Sequence, residues 1–168
     1  MEATHPGQHG DLPEEATTPE ELQAVLRAYA GTEGFHERID DRHWVSFVRR
    51  GPGLLVSFES VQQTLARPGG LPLGLDFVED KNWSLLHFAA EGDTWFRSPA
   101  MMEFLDGLTE EDDLLAFERA VVYGAGMGGY AACAYSVIVP GATVLAVRPQ
   151  ASLDPANSPW ETRFRAAR

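Results

Sequence analysis

Leu22, Val25, Leu26 and Tyr29 recur at i, i+3, i+4 and i+7, which makes the apolar stripe of a helix with one buried face. Thr18 stands just before Pro19 and three residues ahead of Glu21, the T-x-x-E capping box that opens such a helix, and Gly31 closes it. The period then changes. HWVSFV (43–48) and LLVSFES (54–60) read as strands. The Arg49-Arg50-Gly51-Pro52-Gly53 turn between them predicts an antiparallel hairpin. VQQTLA (61–66) is a short helix, RPGGLP (67–72) a loop, and LGLDFVEDKN (73–82) a helix. WSLLHFAA (83–90) is almost continuously apolar, as in a strand buried on both faces of a parallel sheet.

Ser98-Pro99 opens a helix through Met101, Met102, Phe104 and Leu105 that Gly107 is expected to end. A second helix is expected from Thr109 through Leu114, Leu115 and Phe117. A strand at 120–123 leads into a glycine turn and a helix to about Val139, which Pro140-Gly141 breaks. ATVLAV (142–147) is the last clear strand, and 148–168 show no strong period. A hairpin followed by strand–helix–strand–helix–strand predicts an α/β fold. Its later strands should run parallel, joined by right-handed crossovers. Residues 1–17, rich in Pro, Gly and polar side chains, read as a disordered tail, and 18–168 as a single domain.

Charge narrows the partners. Thirteen Lys and Arg against 25 Asp and Glu give −12 at neutral pH, a field that repels phosphate backbones and anionic lipid. Nucleic acid and membrane are therefore not expected as partners. Cys133 is the only cysteine, so neither a disulfide within the chain nor a multi-thiolate metal site is available. With no signal-peptide pattern and no apolar run long enough to span a bilayer, a cytoplasmic protein is expected.

Candidate chemistry concentrates in AVVYGAGMGGYAACAYSV (120–137). Gly124, Gly126 and Gly129 fit G-x-G-x-x-G, the turn that presents a helix N-terminus to a dinucleotide pyrophosphate. Arg148, about twenty residues on, could then meet a 2′-phosphate, which makes NADP the cofactor of that reading. Gly124, Met127 and Gly128 fit the G-x-S-x-G nucleophile elbow as well, with Gly126 where the serine belongs. No histidine follows the turn: the five are His5, His9, His36, His43 and His87. Ser136 lies too far down the helix to substitute. A serine–histidine mechanism is then unavailable, and the turn is architecture whose glycine relieves backbone strain.

HWVSFV, GPGLLVSFESV, NWSLLHFAAEGDTWFRSP, VVYGAGMGGYAACAYSVIVPGATVLAV and PQASLDP…W…RF together resemble an alphaproteobacterial family of α/β-hydrolase-like proteins, over about residues 35–165. The resemblance implies a three-layer α/β-hydrolase-like fold, shortened at its C-terminal side. Members are often labelled phosphoadenosine phosphosulfate reductase. That chemistry uses an SGGxDS-type loop and a nucleophilic cysteine. The chain has no such loop, and Cys133 falls mid-helix in an alanine-rich stretch where burial is expected.

The expected function is a non-hydrolytic member of that fold. It would bind a small anionic ligand or a partner chain at the edge where hydrolases react. An oxidoreductase, NADP-binding or of the labelled kind, is the alternative. The candidate ligand residues are Gly124, Gly126, Met127, Gly128, Gly129, Arg97, Arg148 and Gln150; no cofactor, metal or catalytic residue is expected. Arg97, Arg148 and Gln150 follow strand ends, where open α/β sheets form crevices, and the Met127 and Gly128 amides could serve an anion. The strand at 142–147 is expected near an open sheet edge that favours a homodimer. His87 reads as a hydrogen-bonded core residue, Asp76, Glu79, Asp80 and Lys81 as a solvated helix face, and Glu110–Asp113 as acidic residues of a first helical turn.

Overall fold

A computed structural model describes residues 15–110, 112–164 and 167. Helix α1 (Pro19–Ala30) starts as its sequence dictates: the Glu21 amide donates to Thr18 Oγ1 at 3.2 Å, and Glu21 Oε2 accepts from the Thr18 amide at 3.2 Å. The Thr17 hydroxyl donates to the same carboxylate, and these bonds hold Glu21 below its ordinary pKa. Leu22, Val25, Leu26 and Ala30 form its buried face. Ahead of it, Ala16 is buried and its amide donates to Gly69 O, so the end of the stretch read as tail packs on the domain. His5 and His9 lie outside the described residues.

Six strands form one sheet: β1 (Phe35–Arg38), β2 (His43–Val48), β3 (Gly53–Ser60), β4 (Trp83–Ala90), β5 (Arg119–Ala125) and β6 (Thr143–Val147), in the order β1-β2-β4-β3-β5-β6. β4, β3, β5 and β6 run parallel, and β1 and β2 are antiparallel. The expected hairpin of 43–48 with 54–60 does not form. β2 pairs instead with β1, in register Phe35↔Phe47, and with β4, in register Ser46↔His87. The reason lies in the burial each strand needs. β3 is apolar or small at almost every position and must be covered on both faces and both edges, so it takes the interior place between β4 and β5. β1, four residues without alternation, carried no strand signal of its own.

Short helix α2 (Val61–Leu65) and helix α3 (Leu75–Lys81) form the crossover from β3 to β4. Buried Glu59, 3% exposed at the end of β3, ties this crossover down. Its carboxylate accepts from Thr64 Oγ1 at 3.0 Å, from Arg67 at 2.8 Å and from the Leu73 amide at 3.2 Å. On α3, Glu79 pairs with Arg50 at 3.3 Å and Asp80 with Lys81 at 2.6 Å.

Helix α4 (Pro99–Glu110) starts at Ser98, whose Oγ accepts from the Met101 amide at 3.1 Å. It does not stop at Gly107, which lies in open space and continues as ordinary helix. The helix expected from Thr109 is a 3-10 segment, Asp112–Ala116. Glu111 and the side chains of Glu110, Asp112 and Asp113 fall outside the described residues. Helix α5 (Met127–Tyr135) ends in a 3-10 turn, Ser136–Ile138, short of the expected Val139.

Helices cover both faces of the sheet. Val56, Phe58, Leu86, Phe88 and Val122 pack with Met101 and Leu105 of α4 and Ala131 and Ala132 of α5. Phe58 stacks on Phe88 with centroids 4.9 Å apart and meets Phe96 edge-on at 5.3 Å. On the opposite face, Val48, Leu55 and Leu85 pack with Leu75 and Val78 of α3, while α1 lies over β1 and β2. His87 is fully buried there; its Nδ1 bonds Ser57 Oγ at 2.8 Å, and its Nε2 has no hydrogen-bond partner among the described residues. Cys133 is exposed, not buried, because α5 turns Gly128, Gly129, Ala131 and Ala132 inward and Cys133 outward. β6 is the outer strand, and Leu145 on it is 54% exposed. No helix among the described residues is long and apolar enough to cross a membrane.

Candidate functional site

The turn from β5 to α5 is set by three close approaches. A Cβ on Gly124 would come within 2.0 Å of Gly128 O, and one on Gly128 within 2.0 Å of Phe58 O. One on Gly129 would come within 3.2 Å of both Gly124 O and Val147 O. These glycines let α5 cross the backbones of β5, β3 and β6, and no ligand can use the space they leave. Gly126 differs. It has φ 57° and ψ −116°, and nothing lies within 4 Å of where its Cβ would project. Its amide donates to Val147 O at 2.9 Å and its carbonyl accepts from the Tyr130 amide at 3.0 Å, which fix the turn at both ends.

The space over Gly126 is a cleft of about 360 Å³. Four of the sequence candidates line it: Gly126, Met127, Arg148 and Gln150. Arg148, in left-handed backbone (φ 47°) just past β6, is exposed and makes no hydrogen bond or ion pair among the described residues. Gln150 donates through Nε2 to Ser152 O at 3.2 Å. The remaining walls were not foreseen: Gln63 from α2, Asp93 and Trp95 from the loop after β4, and Arg163 and Phe164 from the C-terminal segment. Arg163 is engaged by Glu161, with Nε 2.9 Å from Oε1, and lies over the Phe164 ring at 5.0 Å. That pairing pulls the Glu161 carboxyl down to about 2.

Arg97 is not in this cleft. Its guanidinium donates to Ala167 O at 3.2 Å and borders a separate hollow with Tyr130 and Asp154. Trp95 divides the two. It is 4% exposed and meets Tyr130 at 5.6 Å and Phe164 at 4.7 Å, both edge-on. An arginine two residues along the loop therefore falls on the far side of the tryptophan.

A part-buried polar network holds that loop. Trp95 and Phe96 both adopt left-handed backbone, with φ 56° and 55°, a costly arrangement for aromatic residues. Phe96 N donates to Thr94 Oγ1 at 3.2 Å, Thr94 Oγ1 meets His43 Nε2 at 2.7 Å, and His43 Nδ1 meets Asp40 at 2.9 Å. Ser98 Oγ donates to the same carboxylate. Burial would raise the Asp40 pKa, but the bonds from Ser98, the Arg42 amide and His43 outweigh it and hold it at about 2. Trp95 N–H also reaches Met127 Sδ at 3.1 Å, joining the loop to the first residue of α5. His43, 1% exposed, is thus spent on the loop. Neither it, His36 nor His87 lines the cleft. The only local sign of this network was Ser98-Pro99 as a helix start, since His43 and Thr94 stand 51 residues apart.

No family model, curated protein or solved structure matches the chain.

Proposed function

We propose that the chain is a non-hydrolytic α/β-hydrolase-like protein that binds a small anionic ligand in the cleft over Gly126. A hairpin-led, mostly parallel sheet whose interior strand β5 feeds a sharp turn into α5 agrees with that fold. The observation that carries the reading is Gly126 itself. It holds positive φ, the conformation in which a hydrolase elbow strains its nucleophile, yet it offers only open space, with the free guanidinium of Arg148 on the same cleft. A glycine supplies no nucleophile, and no described histidine stands at the cleft as its base. The site is suited to holding a molecule rather than cleaving it.

Arg148 also favours the oxidoreductase alternative, in which it meets the 2′-phosphate of NADP. Against that, the glycine turn follows the fifth strand of the chain, whereas dinucleotide folds place it after the first. The exposed Cys133 does not line the cleft, which weighs against the sulfonucleotide reductase. A thermal-shift titration against small carboxylates and phosphates, adenosine 3′,5′-bisphosphate, NAD and NADP tests the reading. Stabilisation by small carboxylates or phosphates, lost in Arg148→Ala, is expected. Selective stabilisation by NADP or the bisphosphate would favour the alternative, and flat curves would overturn ligand binding.

We also propose a homodimer through β6. The strand is outermost, no described strand pairs with its outer side, and Val144, Leu145 and Val147 are exposed.

A further inference from the structure

We infer that the anionic group held over Gly126 is the carboxylate of a zwitterion, an α-amino acid with an aromatic side chain; this rests on the ligand-binding reading above. Arg163 is answered by Glu161 through its Nε (2.9 Å) and its own backbone amide (2.9 Å). Two charged side chains on the cleft remain, Arg148 and Asp93. Both are exposed, and neither has a hydrogen bond or ion pair among the described residues, including with the other. The cleft therefore offers one guanidinium and one carboxylate that form no ion pair with each other.

A bare anion gains Arg148 but is repelled by Asp93, and a bare cation meets the reverse. A molecule with a carboxylate and an ammonium group satisfies both. Its remaining surface meets Trp95, Phe164 and Met127, two rings and a thioether that favour an aromatic side chain. Gly126 supplies a floor without a side chain, so the ligand can approach the backbone of the turn closely. The Gln63 amide, also on the cleft, can serve either end of the ligand.

Calorimetric titration of the full chain with L-phenylalanine, 3-phenylpropionate, phenethylamine and L-alanine tests this. L-Phenylalanine is expected to bind best, L-alanine and phenethylamine more weakly. Exposed ion pairs are modest, so Asp93→Asn should weaken L-phenylalanine by about 2–5-fold. The same change should leave 3-phenylpropionate unchanged or improved, whereas Arg148→Ala should weaken both. Both positions are exposed, and circular dichroism confirms that the variants fold. If 3-phenylpropionate binds as tightly as L-phenylalanine and Asp93→Asn does not discriminate, the zwitterion is overturned and the anion reading stands. If phenethylamine binds best, both fail. If none of the four binds while phosphates stabilise the chain, the amino acid is overturned alone.

Discussion

Gly126 and its neighbours make opposite predictions under the same substitution. Gly126→Ala adds a methyl to empty space, so only the penalty of its backbone conformation, φ 57° and ψ −116°, applies, about 1–3 kcal/mol. Gly124→Ala and Gly128→Ala push a methyl to 2.0 Å from a carbonyl oxygen and must part α5 from the sheet. Their cost should exceed about 3 kcal/mol, or prevent folding. Urea unfolding of the three variants checks the order; equal costs would contradict it. Gly126→Ser should fold yet hydrolyse activated esters no faster than the parent, because no histidine among the described residues borders the cleft. At this scale the sequence was informative where a residue acts through its own backbone. The glycine spacing located the turn, and Arg148 and Gln150 followed from their place after a strand. Arg97 went astray because the left-handed pair Trp95–Phe96 redirects the chain. Asp40, His43 and Thr94 were hidden because their partners are remote in sequence.

Among the elements, α1 and the parallel strands were legible because each carries its own period, cap or apolar run. The hairpin was misassigned because a Gly-Pro-Gly turn records that the chain bends, not which strand it meets next. β3 is drawn inward by its own apolarity, and β4 separates it from β2. The return from β3 to β4 depends on Glu59. Arg67→Ala leaves a carboxylate that is 3% exposed with only a hydroxyl and an amide as donors, a loss of about 3–5 kcal/mol by analogy with broken buried pairs. The double variant Glu59→Gln/Arg67→Ala should recover part of it, since an amide is cheaper to bury than a charge. Denaturation midpoints of the two variants read this directly; a double variant less stable than Arg67→Ala would contradict it.

For the whole molecule, two properties follow from where its surface is incomplete and where its interior is polar. Half-buried His36 is held at about 4, first by burial and then by Arg27 and His87, and fully buried His87 is lowered by burial as well. Both stay neutral in the folded chain at pH values where the unfolded chain protonates them. The stabilisation from His36 is therefore complete above the ordinary histidine value of 6.5 and is lost as pH falls from there toward about 4, and His87 adds a loss of the same sign. His36→Asn should flatten the decline in unfolding free energy between pH 6.5 and pH 4; an unchanged profile would contradict that assignment. Asp40 adds a second loss, from its ordinary value of 3.8 down through about 2. The open side of β6 predicts self-association. Sedimentation velocity should show a dimer that Leu145→Lys disperses, and a monomer at every accessible concentration would contradict it.

Amide chemical-shift mapping tests whether ligand binds in the cleft over Gly126. The ligand is the small carboxylate or phosphate that most raises the melting temperature. The account predicts shifts at Ala125–Gly128, Arg148, Gln150 and the Trp95 indole, all removed by Arg148→Ala. Shifts centred instead on Arg97, Tyr130 and Asp154, or scattered without a focus, would contradict it.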